Sequence, residues 1–410
     1  MQLTTVMHPY LTEVLRAISL ALELDQPTAL LHGRRVAAVS SILAERALPE
    51  ERSEVFCAGL LHDVGAVGMT ERLFANPLLA HHPIDRDIDG HAWRSAAILA
   101  AAAGAHPTFR PAPCLVLDHH EWWNGRGYPS GKFGSEISLG AQLIRIADSL
   151  ALAMHEAGKD RKLTLNRLGK RAGKEFYEDI FFLLSEILDN DLYEQLEDIG
   201  RVEELCDREI GDLPSSGRPQ NCELDPAVEV LVQMLEAKHN YTAGHSKRVA
   251  LHSRRVASSL NLSSDEIRFS YLAGLLHDVG KIAAPRSVLN KPGPLSKDEW
   301  RLMLKHPLFT EAILKELGVP DELLTVVRHV HERWDGTGYP DGISGEEIPL
   351  ASRIVAVCDT FEGITSHRPY RQRATLPEAL EELRRAGGSQ FDPAIVEAAA
   401  AVVLDQLFLD

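Results

Sequence analysis

Cysteine is scarce in this 410-residue chain, and what there is forms no pattern. Cys57, Cys114, Cys206, Cys222 and Cys358 make no CxxC pair and no even framework, so they read as reduced, mostly buried thiols of a cytosolic protein. Positive charge is also short, with 43 Lys and Arg against 59 Asp and Glu, a formal charge of −16. That balance excludes a broad surface for a nucleic acid polymer and leaves phosphate binding to local or metal-mediated contacts. The N-terminus lacks a basic stretch followed by an apolar run, so no signal peptide is expected. No uninterrupted apolar stretch approaches the roughly 18–20 residues that cross a bilayer, so the expectation is a soluble, cytoplasmic protein without membrane association. Period-two alternation is missing too, which argues against a β-sheet.

What is present is globular composition, 45% apolar and 25% charged, in a chain long enough for two domains with separate cores. The phrase GLLHDVGAVG (59–68) returns as GLLHDVGKIA (274–283). His32-Gly-Arg-Arg-Val precedes the first copy and His245-Ser-Lys-Arg-Val the second. His91 follows His62 by 29 positions, as His306 follows His277. His120-Glu121 leads into Gly127-Tyr128-Pro129, and His331-Glu332 into Gly338-Tyr339-Pro340; Asp148 and Asp359 each follow that tyrosine by 20. The offset between copies stays between 211 and 215, a register that chance does not hold, so the chain is an internal duplication. Val36, Val39 and Leu43, like Val249, Val256 and Leu260, recur at helical spacing. The fold class expected is all-α: two tandem helical domains, residues 1–211 and 225–410, joined by a linker at 212–224 that opens with DLPSSGRPQN. Pro285, Pro292, Pro307 and Pro320 read as helix stops, and the two halves are expected to pack on each other.

The matched histidines and aspartates need a cause. An isolated His-Asp pair is ordinary as a cap or a buried polar pair; six or seven such residues repeated across a duplication are not. Imidazole and carboxylate ligands suit iron, manganese or zinc, and an aspartate between two cations can bridge them. Two metals roughly 3.5–4 Å apart would clamp an in-line phosphoryl displacement and generate hydroxide at neutral pH.

With HDVGK (277–281), NKPGPL (290–295), KHP (305–307), HERWDGTGYPDG (331–342), CDTF (358–361) and RPYR (368–371), the second half resembles the HD-GYP branch of the HD superfamily of metal-dependent phosphohydrolases. The first half, with HDVG, HHEWWNGRGYP (119–129) and IADS (146–149), resembles a divergent sister domain. The resemblance implies tandem HD-type helical domains, a two- or three-metal site of iron or manganese, and hydrolysis of cyclic dinucleotides, notably cyclic di-GMP. It implies His245, His277, Asp278, His306, His331 and Asp359 as ligands in the second half, with Asp278 bridging. In the first half it implies His32, His62, Asp63, His91, His119, His120 and Asp148. The branch has two consecutive histidines before the glutamate, and Val330 holds the first of those places. His329 stands one residue earlier, turned by about 100° on a helix. Thr28 and Tyr241 occupy positions where some members carry a glutamate for a third metal, so two divalent ions are expected per competent site. Lys281, one turn past Asp278, would direct its ammonium toward the scissile phosphate, and Ala66 takes its place in the first half. The first half thus has the full ligand set without the lysine, and the second the lysine without the full set. Because hydroxide generation depends on both metals, the ligand count favours the first half for turnover, whereas the resemblance favours the second.

Other signals stay open. Gly338, Tyr339 and Pro340 form a loop that would lie near substrate, dock a signalling protein, or serve as a plain turn. Trp122, Trp123 and Trp334 would stack on a guanine or fill the core. Arg368 and Arg371 would contact phosphate or solvent, and His81 and His82 solvent. The leading reading is a phosphodiesterase that opens a cyclic dinucleotide, cyclic di-GMP or a mixed cyclic GMP–AMP, to the linear dinucleotide by attack of a metal-bound hydroxide. A nucleotide-binding signalling module with one or both halves silent, and an HD phosphohydrolase acting on mononucleotides or cyclic mononucleotides, remain as alternatives.

Overall fold

The computed structural model describes residues 10–25, 27–68, 86–103, 106–213, 226–238, 244–366 and 374–407. His81, His82, Cys222, Tyr241, Arg368 and Arg371 lie outside them, as do the side chain of Thr28 and most of the expected linker. Among the described residues the regular elements are helices, with only isolated bridge pairs at Asn124–Phe133, Ala172–Phe176 and Gly387–Phe391. The all-α expectation therefore holds. No helix among them is long and apolar enough to cross a membrane. Cys57, Cys206 and Cys358 are buried thiols, and Cys114 is exposed.

The chain divides into two compact units, residues 1–237 and 238–410. In the first, the Pro27–Ala47 helix packs against Arg52–Leu61 and Leu139–Ala157, and Arg86–Ala102 packs against Ala112–Leu117. The apolar stripe anticipated on the Pro27–Ala47 helix, Val36, Val39 and Leu43, is buried, together with Phe56, Leu61, Leu143 and Ile146. In the second unit, His245–Ser259 packs against Ser264–Leu276 and Leu350–Thr365, while His306–Glu316 packs against Asp321–Arg328. Val249 and Val256 are buried there.

Polar residues fix the helix ends. Ser263 and Glu266 close a capping box: Ser263 Oγ accepts from Glu266 N at 3.3 Å, and the Glu266 carboxylate accepts from Ser263 N at 2.9 Å. Pro292 follows the Arg286–Leu289 helix just past its C-cap Asn290, as a stop is expected to, but the other three prolines act at the opposite end. Pro285 and Pro320 are N-caps and Pro307 sits in the first turn of its helix, so each starts a helix rather than stopping one. A first-turn amide has no intrahelical acceptor, so a residue lacking N–H loses nothing there.

The repeated phrase marks a change of helix type. The Arg52–Leu61 and Ser264–Leu276 helices end just before the His-Asp pairs, and 3₁₀ turns follow at Val64–Ala66 and Val279–Ala283. Gly65 and Gly280 let those turns lie against the next long helix. A Cβ on Gly65 would stand 2.3 Å from Ser95 N, and one on Gly280 2.0 Å from His306 O. Each glycine amide donates to a hydroxyl on that helix, Gly65 N to Ser95 Oγ at 2.8 Å and Gly280 N to Thr310 Oγ1 at 2.9 Å. This clamp brings His91 to His62 and His306 to His277 across the 29-residue interval.

Candidate metal centres

Each unit gathers its histidines and aspartates into two adjoining clusters. In the second unit His245, His277 and Asp359 form one and Asp278, His306 and His331 the other, the donor atoms of each lying within 4.8 Å of one another. In the first unit the clusters are His32, His62 and Asp63, and Asp63, His91, His119 and His120. Asp148 joins the former, its Oδ1 3.2 Å from His32 Nε2. The aspartate of each His-Asp pair faces both clusters. Asp278 Oδ2 is 3.5 Å from His277 Nε2, while its Oδ1 is 3.4 Å from His306 Nε2 and 3.9 Å from His331 Nε2. Asp63 repeats this, with Oδ2 3.4 Å from His62 and Oδ1 3.3 Å from His91 and 3.9 Å from His119. A carboxylate with one oxygen toward each cluster is placed to bridge two cations.

The buried atoms themselves call for a cation. Nε2 of His277, His306 and His331 and Oδ1 of Asp278 are buried without a hydrogen-bond partner, as is His62 Nε2. Orphaned buried polar atoms cost about 1–3 kcal/mol each, so this concentration of them fits a metal. The rings are turned for it. His62, His277 and His306 donate through Nδ1 to the carbonyls of Gly59, Gly274 and Met303 at 2.7, 3.0 and 2.7 Å, which leaves the Nε2 lone pair facing inward. His245 Nδ1 donates to the Glu362 carboxylate at 2.8 Å, a partner the sequence did not flag.

Electrostatics hold most of these groups in ligand form. Burial alone would raise the Asp278 carboxyl, but His277 and Lys281 beside it hold it well below the usual carboxylate range. Burial works the same way on Asp63 and is outweighed by His62, His91 and His119. Burial lowers His306, reinforced by His331 and Lys281, and lowers His119 to about 3, reinforced by His62 and His91. Ionised aspartates and neutral imidazoles are the forms that bind metal. His62 and His245 differ: burial would lower both, but Asp63 raises the first and Asp359 and Glu362 the second, each to about 9.

The Gly-Tyr-Pro loop is anchored to the centre in each unit. The Tyr339 ring stacks on His331 with centroids 5.3 Å apart and planes 9° off parallel; Tyr128 stacks on His120 at 4.7 Å and 26°. The glutamate after each histidine binds backbone. Glu332 accepts from the amides of Asp341 and Gly342 at 2.7 and 3.0 Å, and Glu121 from Ser130, Gly131 and Lys132 at 2.6, 3.1 and 3.0 Å. Gly338 lies in this loop because a Cβ there would stand 2.4 Å from Arg333 N. Tyr128-Pro129 and Tyr339-Pro340 are both cis.

The units differ at a few positions. Val330, 1% exposed, replaces His119, and His329 turns away to Asp341, its Nε2 2.9 Å from Oδ2. Lys281 Nζ donates to Asp278 Oδ2 at 2.6 Å, so the ammonium sits on the bridging carboxylate. The first unit has Ala66 there, and the Asp63 side chain is 22% exposed against 3% for Asp278. In the second unit a cavity of about 470 Å³ opens beside the cluster, lined by His331, Tyr339, Asp359, Trp300, Ala356 and Gln390 among others. Trp300, 52% exposed, was not singled out from sequence. Trp334 lies under the Arg353 guanidinium, 5.7 Å from the ring centre, and Trp123 stacks on Tyr177 at 4.7 Å.

The HD domain family model matches residues 16–172 and again residues 229–395. The chain is 30% identical over 279 residues to 3′3′-cGAMP-specific phosphodiesterase 3 of Vibrio cholerae, covering 68% of this chain and 59% of that protein. It is 27% identical over 365 residues to 3′3′-cGAMP-specific phosphodiesterase 1 of the same organism, covering 86% and 82%. With the cyclic di-GMP phosphodiesterase response regulator RpfG of Xanthomonas campestris it shares 42% over 171 residues, 41% of this chain and 45% of that one. It therefore spans less than two thirds of the first and last of these relatives. A crystal structure of a cyclic GMP–AMP-specific phosphodiesterase of V. cholerae superposes with a TM-score of 0.60 over 96% of this chain and 97% of that one, at 23% identity, a likeness of fold. The chain belongs to the HD domain family and carries the domain twice.

Proposed function

We propose that the protein is a metal-dependent phosphodiesterase that opens a cyclic dinucleotide to its linear form, with turnover in the second unit. The observation that carries this is the cavity of about 470 Å³ beside His331, Asp359 and Tyr339, a volume within the range of small-molecule sites. The relatives named for action on 3′3′-cGAMP and cyclic di-GMP support the substrate class. Two divalent cations, iron or manganese, held by His245, His277 and Asp359 and by Asp278, His306 and His331, would supply Lewis acidity at phosphate oxygens and a nucleophile from water at neutral pH. Asp278 spans the two positions, and Lys281 keeps a cation at their edge. Tyr339 holds the His331 ring flat against the loop, and Trp300 offers an exposed face on which a base can stack. This cavity weighs against the preference drawn from the ligand count, because substrate must reach the metals and the second unit offers it room beside them.

The test is product analysis with the purified, metal-analysed full chain on cyclic di-GMP and 3′3′-cGAMP. Asp278→Ala is expected to lower hydrolysis at least ~100-fold, beyond what loss of a ligand's supporting partner costs. Asp63→Ala should retain most activity. Activity that survives Asp278→Ala and disappears in Asp63→Ala would move turnover to the first unit. No hydrolysis of either nucleotide by the metal-loaded protein would sink the reading.

A further inference from the structure

We infer that the first unit is closed to nucleotide by an internal ion pair, Arg145–Glu175, standing where the second unit has its cavity; the inference rests on the reading of that cavity as the nucleotide site. The duplication register makes the comparison residue by residue. His120, Tyr128 and Asp148 match His331, Tyr339 and Asp359 at an offset of 211, and on the same register Arg145 matches Ala356. Phe176 matches Phe391 at an offset of 215, and Glu175 then matches Gln390. Ala356 and Gln390 both line the second-unit cavity.

In the first unit a full arginine side chain replaces the alanine methyl. Arg145 is 0% exposed; its Nη1 donates to Asp148 Oδ2 at 3.0 Å and its Nη2 to Glu175 Oε2 at 2.7 Å. Arg171 Nε holds the other Glu175 oxygen at 2.8 Å, so the pair is fastened from both sides. The effect is local to the aspartate beside the pair, whose side chain is 5% exposed at Asp148 against 26% at Asp359, whereas the bridging Asp63 is more exposed than Asp278. The guanidinium thus takes the space next to the cluster that a substrate phosphate would use, and its own charge is already met by Asp148 and Glu175.

The same arginine reaches a candidate ligand. Arg145 Nη1 lies 3.0 Å from His120 Nδ1, and a guanidinium can only donate. His120 therefore accepts at Nδ1 and carries its proton on Nε2, which points at His91 Nε2 3.1 Å away. A cation that displaces this contact at His91 has Asp63, His91 and His119 at this position, three residues as in the second unit. The apparent surplus of ligands in the first unit disappears.

Equilibrium dialysis of the manganese-loaded full chain counts open sites, with a hydrolysis-resistant phosphorothioate analogue of cyclic di-GMP and inorganic phosphate as separate probes and metal content measured alongside. The wild type is expected to bind one analogue per chain. A356R/Q390E, which transplants the pair into the second unit, should bind none while keeping its metal, and R145A/E175Q should bind two. Two sites for either probe in the wild type, or undiminished binding by A356R/Q390E, overturns the closure. One phosphate site lost in A356R/Q390E, with no analogue bound by any form, keeps the closure and removes the dinucleotide reading. No binding of either probe overturns both. If circular dichroism shows that R145A/E175Q does not fold, A356R/Q390E and Ala356→Arg alone decide the matter.

Discussion

At the scale of single residues, Arg145 shows how a buried charge can be required without being catalytic. Its guanidinium is fully enclosed and faces two carboxylates, Asp148 and Glu175. Removing one partner of a buried pair leaves the other charge uncompensated, at a cost of about 3–5 kcal/mol. Arg145→Ala is therefore expected to destabilise the first unit by that order in urea denaturation, and R145A/E175Q by at least as much, because Glu175 keeps Arg171 Nε as a partner in the single variant and the double variant strips Arg171 of it as well. A loss below about 1 kcal/mol in Arg145→Ala would mean that the two carboxylates do not need the guanidinium. Val330 poses the converse case. It occupies the place of His119, whose Nε2 approaches the bridging Asp63 to 3.9 Å, and it is buried at 1% exposure beside the equivalent cluster. Val330→His should tighten metal binding in the second unit roughly tenfold, the scale on which a metal site responds to its neighbours. Competition with a chelator checks this, and weaker retention would show that the pocket cannot admit the ring.

At the scale of elements, the site depends on the 3₁₀ turn after each His-Asp pair lying against the helix that brings the next histidine. A Cβ on Gly280 would stand 2.0 Å from His306 O and 2.5 Å from Thr310 N, and backbone atoms cannot swing aside. Gly280→Ala should cost ~3 kcal/mol or more and release metal from the second unit, since overpacking forces the two backbones apart. Stability and metal content measured together test it; a stable variant that keeps its metal would refute the clamp. These elements were legible in the sequence because helix spacing, the repeated phrase and the 29-residue interval are all local or periodic. The buried stripe of Val36, Val39 and Leu43 lay where the spacing put it. Pro285, Pro307 and Pro320 begin helices where stops were expected, because proline alone marks a helix boundary without saying which side of it the helix lies on. Glu121 and Glu332 looked like companions of metal-binding histidines, yet they organise loop amides nine to eleven residues on. The Arg145–Glu175 pair escaped notice because its members are 30 positions apart. A signal was present all the same: Arg145 interrupts the apolar run of the Leu139–Ala157 helix at a position where the second copy has alanine.

At the scale of the whole molecule, the two clusters tie stability to metal supply. The chain carries a formal charge of −16 and sets Asp63, Asp148, Asp278 and Asp359 among imidazoles whose Nε2 atoms converge. Without cations, those atoms face one another; with cations, the folded chain alone presents the assembled donors. A ligand that binds only the folded state adds RT ln(1 + [L]/Kd), about 2.7 kcal/mol at a hundredfold excess over Kd. Dialysis against a chelator should therefore lower the thermal midpoint by several degrees, and manganese should restore it in proportion to the logarithm of its concentration. The metal ligands also fix the direction of a pH effect. Asp359 and Glu362 raise His245 to about 9, so in the metal-free protein it holds a proton below that pH, and a cation must displace it. The midpoint gain from a fixed manganese concentration should therefore grow as pH rises from 6 toward 9. Asp359→Asn removes one of the carboxylates that keeps this proton and one ligand of the cation, so it should shrink the gain at every pH in that interval. An identical gain at pH 6 and pH 8.5 in the wild type would show that cation and proton compete neither at His245 nor at His62, which Asp63 likewise raises to about 9, and would take both out of the ligand set.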